Sequence, residues 1–409
     1  MLFRRILELK YAFYAILSLA AFVGAAEVGL RLYESYMQQT EVVAVAGPQL
    51  STASPTTFYQ MEAHARLRFR NPDSGAEVEI STNSFGLRGK EPSIPKPADV
   101  YRIVCLGDET VLGPDVAESE TVSARLQEFL QPHTSRKVEV VNAGVPGFCP
   151  LLSLLQIRHS LAALEPDLLV LSFDLGDVAD DHQVRRYVMT DAEGNPLSCP
   201  HSSLAGESKK VASESPLNKY RVLAWCKKQL GMLPLERNRP EDERDVDSRA
   251  GRYAWLQDDP PDWSVYVTQT FSAIDGLDRH VRGGEAQLIV AGYPVAWQVS
   301  ATACNEEVRR RLGIARGEVC RSRFPFEVME TYLEQRSISF CNATPVFEGA
   351  DRPERFFLNG APRFTSEGHR LYARVLGDFI MATVPRFSTR KNSVRVQDDL
   401  SRRAGESPR

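Results

Sequence analysis

Four short stretches of the chain put chemically capable side chains directly after apolar runs or before a helix. The first is Leu-Gly-Asp-Glu at residues 106–109, which follows the run at residues 101–105. A side chain at the carboxyl end of a parallel strand can lie beside backbone amides that would receive an oxyanion. Glu109 occupies that place, and an ionised carboxylate accepts hydrogen bonds but donates none. Acyl transfer through it would form an anhydride, so this residue type argues against ordinary ester hydrolysis.

The second stretch is Val-Asn-Ala-Gly-Val-Pro-Gly at residues 141–147. Its last residue, Gly147, could direct its backbone amide toward an oxyanion. A glycine in a tight turn after a strand is equally expected for conformational reasons alone. This stretch indicates where an anion could bind, but it does not by itself indicate catalysis.

The third stretch is Phe-Asp-Leu-Gly-Asp at residues 173–177, and further acidic residues follow it. Grouped carboxylates could hold a hard cation. Solvated loop carboxylates and helix N-caps explain the same residues, and we favour that interpretation, so no metal site is predicted. The group consists of Asp174, Asp177, Asp180, Asp181 and His182.

The fourth stretch is Ala-Pro-Arg-Phe-Thr-Ser-Glu-Gly-His at residues 361–369, and a helix is predicted to begin within it. It contains Arg363, a residue type whose pKa lies above about 12. An arginine cannot act as a general base at neutral pH.

Strand-like and helical segments alternate around these four stretches. Apolar residues recur at three- and four-residue spacing over residues 119–130, 151–164, 265–281 and 326–336, and a final helix runs from Thr365 or Ser366 to about Ala382. Such alternation predicts an α/β fold, a flavodoxin-like three-layer sandwich with a parallel five-stranded sheet. The strand-like runs end near Leu106, Val141, Phe173, Ala291 and Phe340.

By their order, spacing and position, the four stretches resemble the signature blocks of the SGNH (GDSL-type) hydrolases over roughly residues 80–382. The turn Asn-Ser-Phe-Gly-Leu-Arg-Gly at residues 83–89 is similar to one in a membrane-anchored bacterial subgroup. The resemblance implies the SGNH fold and a site of serine, glycine, asparagine, aspartate and histidine. In that order, the matching positions of this chain hold Glu109, Gly147, Gly176, Ala361 and Arg363.

Because only the glycine is kept, we interpret the chain as an SGNH-like domain that has lost ester hydrolysis. It would act as a surface binding or scaffold protein, with a carbohydrate or protein as ligand and with no cofactor. The candidate ligand-binding residues are Asp108, Glu109, Gly147, Asp177 and Arg363.

Two other functions stay open. The first is an active esterase or acyltransferase on acylated surface carbohydrate, the substrate class that the resemblance implies, with Thr110 or Cys149 as the nearest replacement nucleophile. His369 matches a histidine that is structural in the family, so it is not expected to serve as base. The second is a structural component of the cell envelope.

Two side-chain contacts are predicted. Glu109 and Arg363 would face one another as an ion pair across the site, because they replace a serine and a histidine within hydrogen-bond reach. The rival arrangement turns Arg363 toward Asp177 or Asp181. A disulfide between Cys304 and Cys320 would close a charged insertion if the domain is exported.

The beginning of the chain has the pattern of a membrane segment. Arg4, Arg5 and Lys10 precede an apolar run, and residues 11–30 are about long enough to cross a bilayer as a helix. The basic residues predict a single-pass protein with a cytoplasmic N-terminus and an extracytoplasmic main domain. A cleaved signal peptide is the alternative.

Composition completes the predicted organisation. The formal net charge of −4 gives no electrostatic reason to expect a nucleic-acid partner. Residues 1–31 would form the cytoplasmic tip and anchor, 32–76 a juxtamembrane stalk, and 77–386 the SGNH-like domain. A polar insertion is placed at about 195–262 and a disordered tail at 387–409.

Overall fold

A computed structural model describes residues 50–204, 264–284 and 286–387, together with Tyr14 and Ser18. Two short antiparallel pairs of strands come before the central sheet in the chain, and a third short pair comes between two of its strands. The strands are β1 (Ser51–Ala53), β2 (Tyr59–Met61), β3 (Arg66–Arg70), β4 (Glu77–Ser81), β5 (Val100–Gly107), β6 (Lys137–Gly144), β7 (Leu168–Phe173), β8 (Met189–Thr190), β9 (Pro196–Ser198), β10 (Gln287–Gly292) and β11 (Ser339–Asn342).

Helices follow most strands of the central sheet. The α-helices are α1 (Glu109–Leu112), α2 (Val122–Leu130), α3 (Pro150–His159), α4 (Gly176–Arg185), α5 (Ser264–Arg282), α6 (Ala296–Val299), α7 (Glu306–Arg311), α8 (Phe324–Glu334), α9 (Thr344–Glu348) and α10 (Ser366–Thr383).

The central sheet has five strands in the order β11-β10-β7-β5-β6, and every neighbouring pair is parallel. All residues of β5 and β7 are buried, so both faces of these strands are covered. Near-continuous apolar runs of this kind are typical of central parallel strands. The predicted α/β fold with a five-stranded parallel sheet is confirmed.

Helices pack together on each side of the sheet. In α10, a Cβ atom at Gly377 would lie 2.3 Å from the Phe129 ring, so α2 and α10 touch where a glycine allows it. The same close approach joins α5 to α3, where a Cβ at Gly276 would lie 2.5 Å from the Leu154 side chain. The Tyr372 hydroxyl anchors α10 to the sheet, because it hydrogen-bonds at 3.1 Å to the carbonyl of Ala291 in β10.

Helix boundaries agree with the sequence pattern except at one place. Thr365 caps α10 as predicted, with its hydroxyl accepting from the amide of Gly368 at 3.3 Å. The predicted helix over residues 151–164 is interrupted, because α3 ends at His159 and only a single 3-10 turn follows. Glu165 then takes a left-handed conformation with φ of 47°.

Residues 50–76 are packed into the domain, which corrects the predicted stalk for this described part. Antiparallel pairs form between β1 and β2 and between β3 and β4. Leu50, Phe58 and Met61 are buried in one apolar cluster with Phe148 and Leu151. No periodicity is visible in this part of the sequence because β1 and β2 have only three residues each, too few to show an alternation.

Three sequence predictions fall largely outside the described residues: the anchor at 11–30, most of the insertion at 195–262 and the tail at 387–409. Within the described residues, no helix is long and apolar enough to cross a membrane. The first residues assigned to the insertion belong to the domain, since β9 pairs with β8. Phe387 also belongs to it, being buried edge-on against Tyr101.

The predicted disulfide is wrong. Cys304 has a free, buried thiol that donates a hydrogen bond to the carbonyl of Ala361 at 3.3 Å. Burial raises the pKa of this thiol to about 12. The sulfur of Cys320 lies 3.6 Å from a carboxylate oxygen of Glu318.

Candidate functional site

The strand order explains where a site can lie. Counted along the sheet, the order of β6, β5, β7, β10 and β11 is that of a doubly wound fold. Strands are added on one side of β5 first (β6) and on its other side afterwards (β7, β10 and β11), so the order of succession reverses between β5 and β7. Ligands of such sheets bind outside the carboxyl ends of the strands at this reversal. Glu109 follows β5 and Asp174 follows β7, so both lie at the expected edge.

Asp108 and Glu109 are held by a short helix pressed against the sheet. Asp108 is the N-cap of α1, and its carboxylate accepts from the amide of Thr110 at 2.8 Å. A Cβ atom at Gly144 would lie 2.2 Å from the backbone nitrogen of Leu112, so only glycine permits α1 to pack this closely on β6. The helix therefore fixes the direction of Glu109.

The carboxylate of Glu109 occupies the place that the resemblance assigns to an oxyanion. Its Oε2 atom accepts a hydrogen bond from the backbone amide of Gly147 at 3.0 Å. Gly147 has φ of +70°, a left-handed conformation that favours glycine. The sequence placed these two residues in one site, and the structure shows them in direct contact.

Asp108 lies deeper and is bonded on the side of β10. The hydroxyl of Tyr293 donates to its Oδ1 atom at 3.0 Å. Burial, and after it the charges of Glu109 and Asp174, raise the pKa of Asp108 well above its usual value. Tyr293 directly follows Gly292, the last residue of its strand, so its position could have suggested a site residue.

Asp177 belongs to the same acidic group. Its carboxylate accepts from the amide of Asp174 at 3.1 Å, which closes the turn into α4. Burial and then the charge of Asp174 raise the pKa of Asp177 well above its usual value. Gly176 begins α4 and supplies no side-chain donor. The backbone amide of Gly176 donates to the carboxylate of Asp174 at 2.5 Å.

The more distant acidic residues have other roles. Asp181 forms an ion pair with Arg185, one helical turn later, at 2.6 Å. Within the described part of the chain, no group of three or more histidine, cysteine, aspartate or glutamate residues has an arrangement that could hold a metal ion.

Arg363 forms its ion pair with Asp115. Its Nε lies 2.5 Å from one carboxylate oxygen, and its Nη2 lies 3.1 Å from the other. The predicted pair with Glu109 is wrong. The rival pair with Asp177 or Asp181 is wrong too, since Asp181 is paired with Arg185.

Arg363 nevertheless interacts electrostatically with Glu109. Burial lowers the pKa of Arg363, but the charge and hydrogen bonds of Asp115, and then the charge of Glu109, outweigh that effect and raise it overall. Asp115 was not found from the sequence, since nothing in its local pattern separates it from an ordinary loop acid.

Arg88, from the turn at residues 83–89, holds the loop that carries Asp115. Its guanidinium is buried and donates to the carbonyls of Leu112 at 2.8 Å and Val116 at 2.7 Å, and also to that of Gly113. Burial lowers the pKa of Arg88 to about 10. The turn that resembles the membrane-anchored subgroup thus has a structural task beside the site.

Neither replacement nucleophile has the surroundings of an activated group. Burial, and then the charge of Asp181, raise the pKa of the Cys149 thiol well above its usual value, so little thiolate is available. Thr110 is buried. Burial lowers the pKa of His369 to about 3, which agrees with a structural role inside α10.

Ala361 is buried, and its carbonyl accepts the Cys304 thiol proton, so the position that matches an aspartate of the family has only a backbone role. Together, Glu109, Gly147, Asp108, Asp177 and Arg363 surround one edge of the sheet. Glu109 accepts from the amide of Gly147, and Arg363 is paired with Asp115, while Asp108 and Asp177 accept from nearby backbone amides. Chemically, the arrangement binds a carboxylate at the amide of Gly147 and lacks a base at the histidine position.

No protein-family model matches the sequence, and no curated protein matches it. Several solved structures that match are described as lipolytic proteins of the G-D-S-L family, lipases or acylhydrolases. A putative lipolytic protein of this family from Desulfitobacterium hafniense is 11% identical with a TM-score of 0.34, over 68% of this chain and 99% of that one. The lipase/acylhydrolase from Enterococcus faecalis is 12% identical with a TM-score of 0.35, over 68% and 94%.

A GDSL-like lipase from Bacteroides thetaiotaomicron is 13% identical with a TM-score of 0.34, over 69% of this chain and 89% of that one. The predicted resemblance to the GDSL/SGNH hydrolases is thus confirmed as a distant one. What this site can do follows from its own residues.

Proposed function

We propose that this domain is an SGNH-like binding or scaffold protein that does not hydrolyse esters. One observation carries the proposal: the carboxylate of Glu109 accepts from the Gly147 amide at 3.0 Å. In a hydrolase of this kind, that amide must be open to a substrate oxygen when negative charge develops on it. Here an anionic side chain of the protein already fills the position.

The surrounding residues support the same proposal. An oxyanion would have to form beside the carboxylate of Glu109, whose negative charge opposes new negative charge. Gly176 supplies no third donor, and the loss of one such donor typically lowers the rate by about 10²–10³. Arg363 is bound to Asp115 and cannot accept a proton.

Esterase assays on the purified domain test the proposal. We expect no turnover of short acyl esters above buffer and no labelling by a fluorophosphonate probe of serine hydrolases. Glu109→Ser should not restore activity, because a serine without a base is a weak nucleophile. Glu109→Ala is the control for removal of the carboxylate. Hydrolysis by the unmodified domain that Glu109→Ala abolishes would refute the proposal.

The membrane location of the protein is also part of the proposal, and it is supported by the sequence alone. Residues 11–30 would anchor the chain, and the domain would face away from the cytoplasm. Resistance of the full chain to alkaline extraction from membranes, together with protease access to the domain only from the outside, would support this arrangement. Release by alkali would contradict it.

A further inference from the structure

A wide groove lies beside α10, and the residues that line it come much later in the chain than Glu109 and Gly147. Its volume is about 1090 Å³, which is at the upper end of the usual size of small-molecule pockets. Residues of α10 form one part of its lining, and α9 and the residues just before α8 form another. None of the residues assigned above to the Glu109 site lines it.

Arginines dominate the charge of this groove. Five arginines line it, all with exposed side chains, against the two acids Glu348 and Glu367. We call this surface the arginine groove. Its arginines are Arg321, Arg323, Arg355, Arg370 and Arg374.

The fold uses these positive charges only weakly. Arg323 lies 3.5 Å from Glu348, and Arg355 lies 3.5 Å from Glu367, which are long distances for ion pairs of exposed side chains. Among the described residues, Arg321, Arg370 and Arg374 form no ion pair. Such arginines contribute little to folding and remain able to contact a ligand.

Two of the arginines are spaced so that they repel one another. Arg370 and Arg374 are four residues apart on α10, and neighbours at this spacing lie on the same helix face. Like charges at this spacing destabilise a helix. A bound anion would remove the repulsion, and guanidinium groups match carboxylates in paired hydrogen bonds.

The rest of the lining favours a sugar chain over a chain of phosphates. Asn342 brings an amide group that can bond to a hydroxyl, and Pro345, Val346 and Leu371 bring aliphatic surface for the apolar faces of sugar rings. Glutamates can accept from hydroxyl groups, whereas they would repel phosphates.

Nucleic acid fits the groove less well. Stacking platforms for bases need exposed aromatic rings, and the one aromatic side chain that lines the groove, Phe356, is buried.

We propose that the arginine groove binds an acidic oligosaccharide whose carboxylate groups repeat along the chain. Arg370 and Arg374 contact carboxylates from the α10 side, and Arg321 and Arg323 contact them from the opposite side. The Asn342 amide and the aliphatic side chains of Pro345, Val346 and Leu371 contact the sugar rings. The groove would give the domain a ligand at a place separate from the Glu109 site.

Fluorescence polarisation with a labelled oligogalacturonate tests the proposal on the full chain in detergent. Arg370→Glu combined with Arg374→Glu should weaken binding more than about tenfold, since two charge-assisted contacts are lost. Arg279→Glu combined with Arg311→Glu is the matched control. It changes the net charge equally, at exposed residues that do not line the groove. Equal loss in both variants, or no binding by the unmodified protein, would overturn the proposal.

Two further ligands check the chemistry of recognition. A neutral oligosaccharide of equal length should not bind, and polyphosphate should bind more weakly than the oligogalacturonate. Tighter binding of polyphosphate would refute the assignment to a sugar chain. Circular dichroism of the Arg370→Glu, Arg374→Glu variant should be unchanged, because exposed side chains are replaced.

This proposal does not depend on the absence of hydrolysis. The esterase assay reads the Glu109 site, and the polarisation assay reads the arginine groove, so the two can fail separately. Binding that survives Glu109→Ala and is lost with the α10 arginines would place the ligand in the groove.

Discussion

The Glu109 site and the arginine groove treat their charged groups in opposite ways. At the site, Arg88 donates to backbone carbonyls and Arg363 is paired with Asp115, while Glu109 accepts from the Gly147 amide. In the groove, Arg370 and Arg374 are exposed and form no ion pair with a described residue.

The difference separates charges that hold the fold from charges that can serve a ligand. A buried polar group must be bonded inside the protein, and its removal is costly. An exposed charge is solvated, and its removal changes stability little. Whether a charged side chain can bind a ligand therefore depends here on whether it is already bonded inside the protein, and less on whether it lies near the Glu109 site.

The largest effect is expected at Arg88. Arg88→Ala should lower the free energy of unfolding by at least about 3 kcal/mol, because three buried carbonyls lose their donor at no less than roughly 1 kcal/mol each. Arg374→Ala, in the groove, should change it by less than about 0.5 kcal/mol. Urea denaturation followed by circular dichroism measures both values. Equal effects in the two variants would remove the distinction between the two regions.

A smaller effect is expected for the Arg363–Asp115 pair, whose side chains are 15% and 9% exposed. Arg363→Met alone should cost about 2–3 kcal/mol, since it leaves a nearly buried carboxylate without its partner. Adding Asp115→Leu should restore part of the loss. A double-mutant cycle on the same denaturation assay gives the coupling energy, and simple additivity would show that the pair is not a unit.

The smallest effect, counted for one group over one pH unit, should appear as a dependence of stability on pH. The pKa values of Asp108 and Asp177 are raised by burial, so the folded state holds protons that the unfolded state releases above about pH 4. Their contribution is fully present below the unfolded pKa and is lost as pH rises through the folded pKa. Stability should therefore fall by up to about 1.4 kcal/mol per pH unit for each group.

Asp108→Asn isolates this effect, because an amide oxygen can still accept from Thr110 and Tyr293. The variant should show a flatter stability curve above pH 4 than the unmodified protein, measured as the urea midpoint at each pH. Asp351→Asn, at an exposed residue, is the comparison variant. An unchanged slope in Asp108→Asn would contradict the assignment of the proton to Asp108.

Features that depend on local pattern could be predicted from the sequence. The buried apolar run of β7 and the cap of α10 at Thr365 follow from residue types that are close in the chain. The meeting of Glu109 and Gly147 also follows, because both come just after neighbouring parallel strands.

Features that depend on distant partners could not be predicted. Asp115 and Arg363 are 248 residues apart, and nothing local selects this acid over Glu109. Cys304 and Cys320 are close in sequence, yet the Cys304 thiol meets the carbonyl of Ala361 instead. The partner at each of these positions depends on which loops the folded sheet brings together.

The packing of residues 50–76 bears on how the domain can be cut for study. Leu50, Phe58 and Met61 cover Phe148 and Leu151, directly after the loop that carries Gly147. A fragment that begins at residue 77 would leave this apolar surface bare to water, and exposed patches of that kind promote aggregation. A fragment that begins at or before Leu50 keeps the cover in place, so the choice of first residue can decide whether the Glu109 site survives purification.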